Sequence, residues 1–239
     1  MKIVVTRERG HNESLREWLD PPFAEVPATR TLERGVEDVR AELAETAPGA
    51  TWLVVTSSRS VGPLSVGRDL VSPSTRVAAV GEATARALLA LDWPVDVVGS
   101  SGALSLLEHL DTSPILVVGA ESARPELPAE LRRRGIEVRV VSLYRTEART
   151  LEESERRVLR EADVVVVGAP SAWRVLRADI EPRTFVVVPG ETTRAEVARD
   201  HQRVLVGWGA DWPAVRDLVT KRFHAESRGE FPPGGDTGP

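Results

Sequence analysis

One pattern occurs twice in this chain, and each copy dictates a strand, a glycine turn and a helix. Residues 76–86 read RVAAVGEATAR, and residues 186–196 read VVVPGETTRAE. In the first copy, four apolar residues run into Gly81. A short polar turn of Glu82, Ala83 and Thr84 follows, and then Ala85–Leu91 has helical spacing. In the second, the apolar run meets Gly190, and Glu191, Thr192, Thr193 and Arg194 lead into a helix. Thr84 and Thr193 hold the same place in the two copies. The preceding units match as well, VVTSSRS at 54–60 and VVGAPSA at 166–172. A helix N-terminus presents unpaired N–H groups and the positive end of its dipole, so each copy is a potential anion seat.

The rest of the chain alternates in the same way. Short β-branched runs predict strands at 2–6, 23–28, 52–55, 115–118, 138–143, 163–167, 184–188 and 204–206, with a further one at 95–98. Apolar spacing of three and four predicts helices at 11–19, 36–45, 103–110, 125–134, 151–160 and 212–223, and one ending at Leu176. Gly135 is placed to end the helix before it. This alternation argues for an α/β protein with parallel sheets. Two polar stretches, near 29–35 and 144–150, break the rhythm and are candidate linkers that cut the chain into three. From His224 to Pro239 the residues are Gly, Pro and charge, which predicts a disordered tail.

Composition narrows the chemistry. The 239 residues are 41% hydrophobic, enough for one large or two modest cores. The net charge of −5 carries no basic excess for nucleic acid. With no cysteine, disulfides, thiolate nucleophiles and cysteine metal sites are excluded, and the four histidines have no metal-ligand spacing. The apolar run Ile3–Val5 is too short for a signal peptide or a membrane span, so a soluble cytoplasmic protein is expected. There is no G-x-S-x-G, no Walker sequence and no G-x-G-x-x-G.

What remains is a set of strand ends rich in Ser, Thr, Gly and Ala, with arginine nearby. Hydroxyls and backbone N–H groups there suit a ligand with several carboxylates or phosphates, since ligands of open α/β sheets bind at the carboxyl ends of strands. Each candidate has a plainer reading. Thr84 and Thr193 serve equally as helix caps, and Thr56, Ser57 and Ser58 as an ordinary turn. Arg7 and Arg124 are either anion partners or solvated charges. Tyr144, the only tyrosine, is either a packed ring or a phenol that gives a ligand a hydrogen bond or a proton.

Taken in order, these residues resemble uroporphyrinogen-III synthase. The resemblance rests on the apolar strand entering Thr6 and Arg7, the strand meeting Thr56-Ser57-Ser58, and the turn Val80–Ala85. It also rests on Gly119, Arg124, Leu127, Leu131 and Gly135 followed by Val138–Leu143 and Tyr144, and on the turn Pro189–Thr193. It covers roughly residues 1–222. One departure stands out: Gly168-Ala169 occupies the place of Thr56-Ser57, so two hydroxyls are absent.

The resemblance implies two flavodoxin-like (Rossmann-like) three-layer domains with parallel sheets, joined by a two-stranded linker, one of them discontinuous. The implied boundaries are 1–30 plus 148–223 for the discontinuous domain and 35–143 for the inserted one, with 224–239 as the tail. It implies a lyase of haem biosynthesis that closes hydroxymethylbilane, a linear tetrapyrrole with eight carboxylates, into uroporphyrinogen III with ring D inverted and water lost. It implies a monomer that needs no cofactor or metal and whose partner is that small molecule, with no nucleic acid and no membrane. Tyr144 is the implied catalytic residue. The implied substrate contacts are Arg7, Thr56, Ser57, Ser58, Ala83, Thr84, Ser122, Arg124, Pro170, Ser171, Ala172, Thr192 and Thr193. A non-catalytic module of the same fold, binding a tetrapyrrole or another polyanion, is the alternative reading.

Overall fold

Short Val-, Ile- and Leu-rich runs form strands buried on both faces, as a parallel sheet requires. The structure is a computed structural model that describes residues 1–10, 12, 15, 23–100, 102–207, 213, 214, 216, 217 and 219–221. The strands are β1 Ile3–Val5, β2 Ala24–Glu25, β3 Thr29–Glu33, β4 Trp52–Val55, β5 Arg76–Ala79, β6 Val97–Val98, β7 Ile115–Ala120, β8 Val138–Ala148, β9 Val164–Val166, β10 Phe185–Val188 and β11 Val204–Val206. The helices used below are α1 Val36–Thr46, α2 Val61–Ser65, α3 Glu82–Leu89, α4 Glu126–Arg133, α5 Glu153–Arg160, α6 Pro170–Leu176 and α7 Glu191–Val197. None among the described residues is long and apolar enough to cross a membrane.

The chain divides into two units, Met1–Arg30 with Glu147–Pro239, and Thr31–Thr146. The first carries a five-stranded sheet in the order β11-β10-β9-β1-β2, and every pair in it is parallel. The second is built on a six-stranded sheet in the order β3-β8-β7-β4-β5-β6, parallel from β8 through β6. The protein is thus α/β with predominantly parallel sheets.

Strand periodicity sorts each core into two faces. In β4, Leu53 and Val55 join the cluster under α1, α2 and α3, with Leu43, Leu64 and Leu88. Trp52 and Val54 point the other way, into a cluster with Leu106, Leu127 and Leu131. In β10 of the other unit, Val186 and Val188 pack with Leu159, Trp173 and Val197, while Phe185 and Val187 pack with Leu15 and Val219. Burying one such leucine stabilises the fold by roughly 1.5–3 kcal/mol relative to exposure.

Helix ends follow the chain's punctuation. Gly135 has φ of 79°, and α4 closes on a pair of bonds from Gly135 N–H to Arg132 carbonyl (2.9 Å) and Ile136 N–H to Leu131 carbonyl (3.1 Å). That is the Schellman arrangement, which needs the left-handed residue that glycine supplies.

Several expectations change. The helix after Gly81 starts at Glu82, not Ala85, because Gly81 is fully extended (φ −173°, ψ 170°) and the helical dihedrals begin at the next residue. Thr84 therefore lies in the first turn and is not the cap. The strand expected over 23–28 shrinks to β2. Val26 and Ala28 still donate to Val5 and Thr6 (3.0 and 3.1 Å), but Pro27 between them has no N–H and breaks the ladder. The helix expected over 103–110 is a tight turn of 3₁₀ helix, Ala103–Leu106.

Both polar stretches read as linkers contain strand, β3 and the last residues of β8. At a sheet edge a strand needs no apolar alternation, and β3 is nowhere fully buried. Most of the helix expected at 11–19, part of that at 212–223 and the tail 224–239 lie outside the described residues.

Candidate functional site

In the unit Thr31–Thr146, parallel pairing brings the turns after β4, β5 and β7 to one edge of the sheet. That edge holds Thr56, Ser57 and Ser58 after β4, Ala83 and Thr84 after β5, and Ser122 and Arg124 after β7. Tyr144 arrives on β8, opposite Ala120 at the end of β7. In the other unit, β9 lies between β1 and β10. The same kind of edge collects Arg7 after β1, Pro170, Ser171 and Ala172 after β9, and Thr192 and Thr193 after β10. The sequence-predicted residues thus form two clusters, one per unit, each at the carboxyl edge where α/β sheets bind ligands.

The duplication holds at the level of dihedral angles. Ser57 and Ala169, at matching places in the two copies, precede their helical turns with φ, ψ of −156°, 144° and −158°, 158°. Gly81 and Gly190, the paired turn glycines, are both extended, at −173°, 170° and 175°, −178°. No side chain among the described residues caps α3 or α7; in α3 the Thr84 N–H donates to the Gly81 carbonyl at 3.0 Å, which leaves the amides of Glu82 and Ala83 as donors.

Thr84 and Thr193 are buried at the third position of their helices, 6% and 4% exposed. Neither hydroxyl has a hydrogen-bond partner among the described residues, and neither is sealed in the core. A buried, uncommitted hydroxyl beside free amides is suited to bind an anion rather than to cap its own helix. Thr192, Ala83, Ser122, Ser171 and Ser58 are exposed. Arg124 is exposed and has no ion pair among the described residues. Arg7 is half-buried and already engaged. Arg194 donates twice to Glu191 at 2.7 Å, and that bond holds the Glu191 carboxyl below the usual range, so this arginine is committed within its own helix.

Three predicted contacts have other work. The Thr56 hydroxyl donates to the Val118 carbonyl at 3.0 Å, tying β4 to β7. Ser57 Oγ accepts from the Arg59 N–H at 3.3 Å, closing its own turn. Ala172 is 5% exposed and packs with Trp173 in the core, and its N–H donates to the Ala169 carbonyl. Gly168, which replaces Thr56 in the second copy, therefore removes a structural bond and no ligand group. Pro170 is half-buried and, lacking an N–H, fits the first helical position.

Tyr144 is a packed ring with its hydroxyl left over. Its ring is 6% exposed and packs in the cluster with Leu43 and Val118. Its hydroxyl has no partner among the described residues and is not sealed in. A β-bulge makes this possible. The register steps from Gly119↔Ser142 to Ala120↔Tyr144, leaving Leu143 as the extra residue. Leu143 and Tyr144, adjacent in sequence, then both reach the same core cluster. Sequence periodicity has no signal for this shift. It also gives none for Glu33, Asp38 and Glu121, which surround Tyr144 and are absent from the sequence-predicted set.

Comparison with known proteins places these features in context. The family model for uroporphyrinogen-III synthase HemD matches residues 23–207. Among solved structures, uroporphyrinogen-III synthetase from Helicobacter pylori is similar at 17% identity, covering 92% of this chain and 99% of that one with a TM-score of 0.66. A mutant uroporphyrinogen III synthase from Thermus thermophilus is similar at 17% identity, covering 93% and 99%, with a TM-score of 0.62. At that identity the likeness is one of fold. None of the curated proteins compared with the chain matches it.

Proposed function

Because the chain belongs to the uroporphyrinogen-III synthase family, we propose that it closes hydroxymethylbilane to uroporphyrinogen III, inverting ring D and releasing water, as a hydro-lyase. The observation that carries this reading is the pair of carboxyl-edge clusters, in which the largely buried Thr84 and Thr193 keep hydroxyls that have no partner among the described residues beside helix N-termini without a side-chain cap. Such groups fit the side-chain carboxylates of the bilane. Arg124, unpaired among the described residues, supplies a cation at one edge, so a chain of net charge −5 still offers local positive potential.

The reading explains why the sequence carries none of the usual catalytic motifs. The bilane loses hydroxide with help from its own pyrrole nitrogen and closes unaided to the wrong isomer. The protein's task is to hold ring D for attack at its substituted position, through a spiro intermediate, which is a matter of positioning and preorganised charge. Tyr144, with an uncommitted phenol, is the group assigned to the departing hydroxyl. The finer architecture belongs to the same reading: two flavodoxin-like domains, one discontinuous, with β3 and β8 as the two-stranded linker, acting as a cytoplasmic monomer.

The test is the ratio of type III to type I product formed from hydroxymethylbilane. Only type I product from the folded protein would refute the activity. Tyr144→Phe is expected to slow turnover at least tenfold while stability moves by less than about 0.5 kcal/mol, since the lost hydroxyl has no bond among the described residues.

A further inference from the structure

The end of β8 holds more than a phenol. A pocket of about 300 Å³ opens there, where Tyr144 is joined by Glu33, Arg34, Asp38, Glu121 and Arg145, all within the unit Thr31–Thr146. Its charges differ in how far they are committed. Arg34 donates to Glu42 and to the Ser142 carbonyl, and Arg145 is also engaged. The carboxylates of Glu33, Asp38 and Glu121 have neither hydrogen bond nor ion pair among the described residues. They do not converge on a metal-binding point. Tyr144, more than nine-tenths buried and with no partner for its hydroxyl among the described residues, lines the same pocket.

Uncompensated carboxylates repel other carboxylates, so this pocket is the wrong seat for the acidic side chains of a bilane. It suits N–H donors and developing positive charge. Resting on the synthase reading, we infer that the pocket takes the hydroxymethyl-bearing pyrrole ring. Glu121 accepts a hydrogen bond from the ring N–H and offsets the cation that forms as the hydroxyl leaves. The C–O bond breaks with its electron pair on oxygen. That oxygen takes one proton and leaves as water. The freed carbon bonds to the substituted carbon of ring D, whose bond to the neighbouring bridge carbon breaks and re-forms at the terminal carbon of ring D, and that carbon gives up its proton, so atoms and charge balance.

Glu121 is chosen over its neighbours on position. Its backbone N–H donates to the Tyr144 carbonyl at 2.8 Å, fixing it beside the bulge. Asp38 lies in the first turn of α1, where it already meets the helix dipole, and Glu33 ends an edge strand.

The experiment uses the full chain and hydroxymethylbilane, with Glu121→Gln and Glu121→Asp. The Glu121 side chain is exposed and unpartnered among the described residues, so both variants should melt with the unsubstituted protein. Glu121→Gln should lower kcat about 10- to 100-fold with KM unchanged or lower, and Glu121→Asp should recover part of it. Unchanged kcat in Glu121→Gln, or a rise in KM alone, overturns the inference while the synthase reading stands. Type I product alone from the unsubstituted chain overturns both.

Discussion

Replacing Gly119 by alanine tests how the carboxyl edge of the Thr31–Thr146 unit is built. A Cβ at Gly119 would lie 2.2 Å from Thr56 Oγ1, 3.5 Å from Thr56 Cβ and 3.7 Å from Ala123 Cβ. Only the first is a clash, and turning the Thr56 side chain away relieves it at the cost of the 3.0 Å bond to the Val118 carbonyl. That carbonyl keeps its bond from the Thr56 N–H at 3.1 Å, so no acceptor is orphaned. The lost bond costs about 1 kcal/mol and crowding adds about 1–3 kcal/mol. A smaller unfolded-state entropy offsets roughly 0.5–1 kcal/mol of this. The net destabilisation is about 2 kcal/mol. Denaturant unfolding measures it, and amide hydrogen exchange in β4 and β7 locates it. Thr56→Ala removes both the clashing atom and the bond, so the double variant should be more stable than the sum of the singles by about 2–4 kcal/mol. A Gly119→Ala shift under about 0.5 kcal/mol, or an additive cycle, would show that Thr56 does not hold this position. The same single variant, Thr56→Ala, should leave KM for hydroxymethylbilane within about twofold, because its hydroxyl is already bonded.

Thr84→Val and Thr193→Val should each raise KM about tenfold, the loss of one charge-assisted bond, with stability changed by less than about 0.5 kcal/mol; an unchanged KM removes the hydroxyl from the site. Burial is the main cause that pushes His201 below its usual pKa of 6.5, and its Nε2 meets the Thr184 carbonyl at 2.8 Å. The unfolded chain then takes up the proton first as pH falls, so stability is fully present above pH 6.5 and declines below it. Melts across about pH 5–8 should show this slope, and His201→Phe should flatten it. Asp179, 5% exposed, accepts from Arg156 at 2.5 Å and Arg160 at 3.2 Å. Because those arginines stay 34% and 41% exposed, Asp179→Ala should cost about 2 kcal/mol in denaturant unfolding rather than the full cost of a buried pair; no change would mark the cluster as ornamental to the fold.

Much of the candidate site is legible in the sequence because its units are local. A glycine after an apolar run and a threonine three residues later are read without knowing what they pack against. Parallel pairing then carries turns from different parts of the chain to one edge. The residues that proved structural were not separable in this way. Thr56 looks like Thr84 in sequence, yet one hydroxyl is bonded across to β7 and the other is not. The partner that decides it lies 62 residues away. The polar stretch at 29–35 reads as a linker because strand periodicity fades where an edge strand faces solvent.

The α/β class, the duplicated strand–turn–helix units and the hydroxyl-rich turns after the strands are local properties of the chain, since they follow from residue spacing and glycine placement. Tertiary contacts settle which hydroxyls have a partner among the described residues, that a bulge puts Tyr144 and Leu143 into one core, and that carboxylates without an ion pair among the described residues line one pocket with Tyr144. Those outcomes depend on contacts between residues far apart in the chain, and no local pattern encodes them.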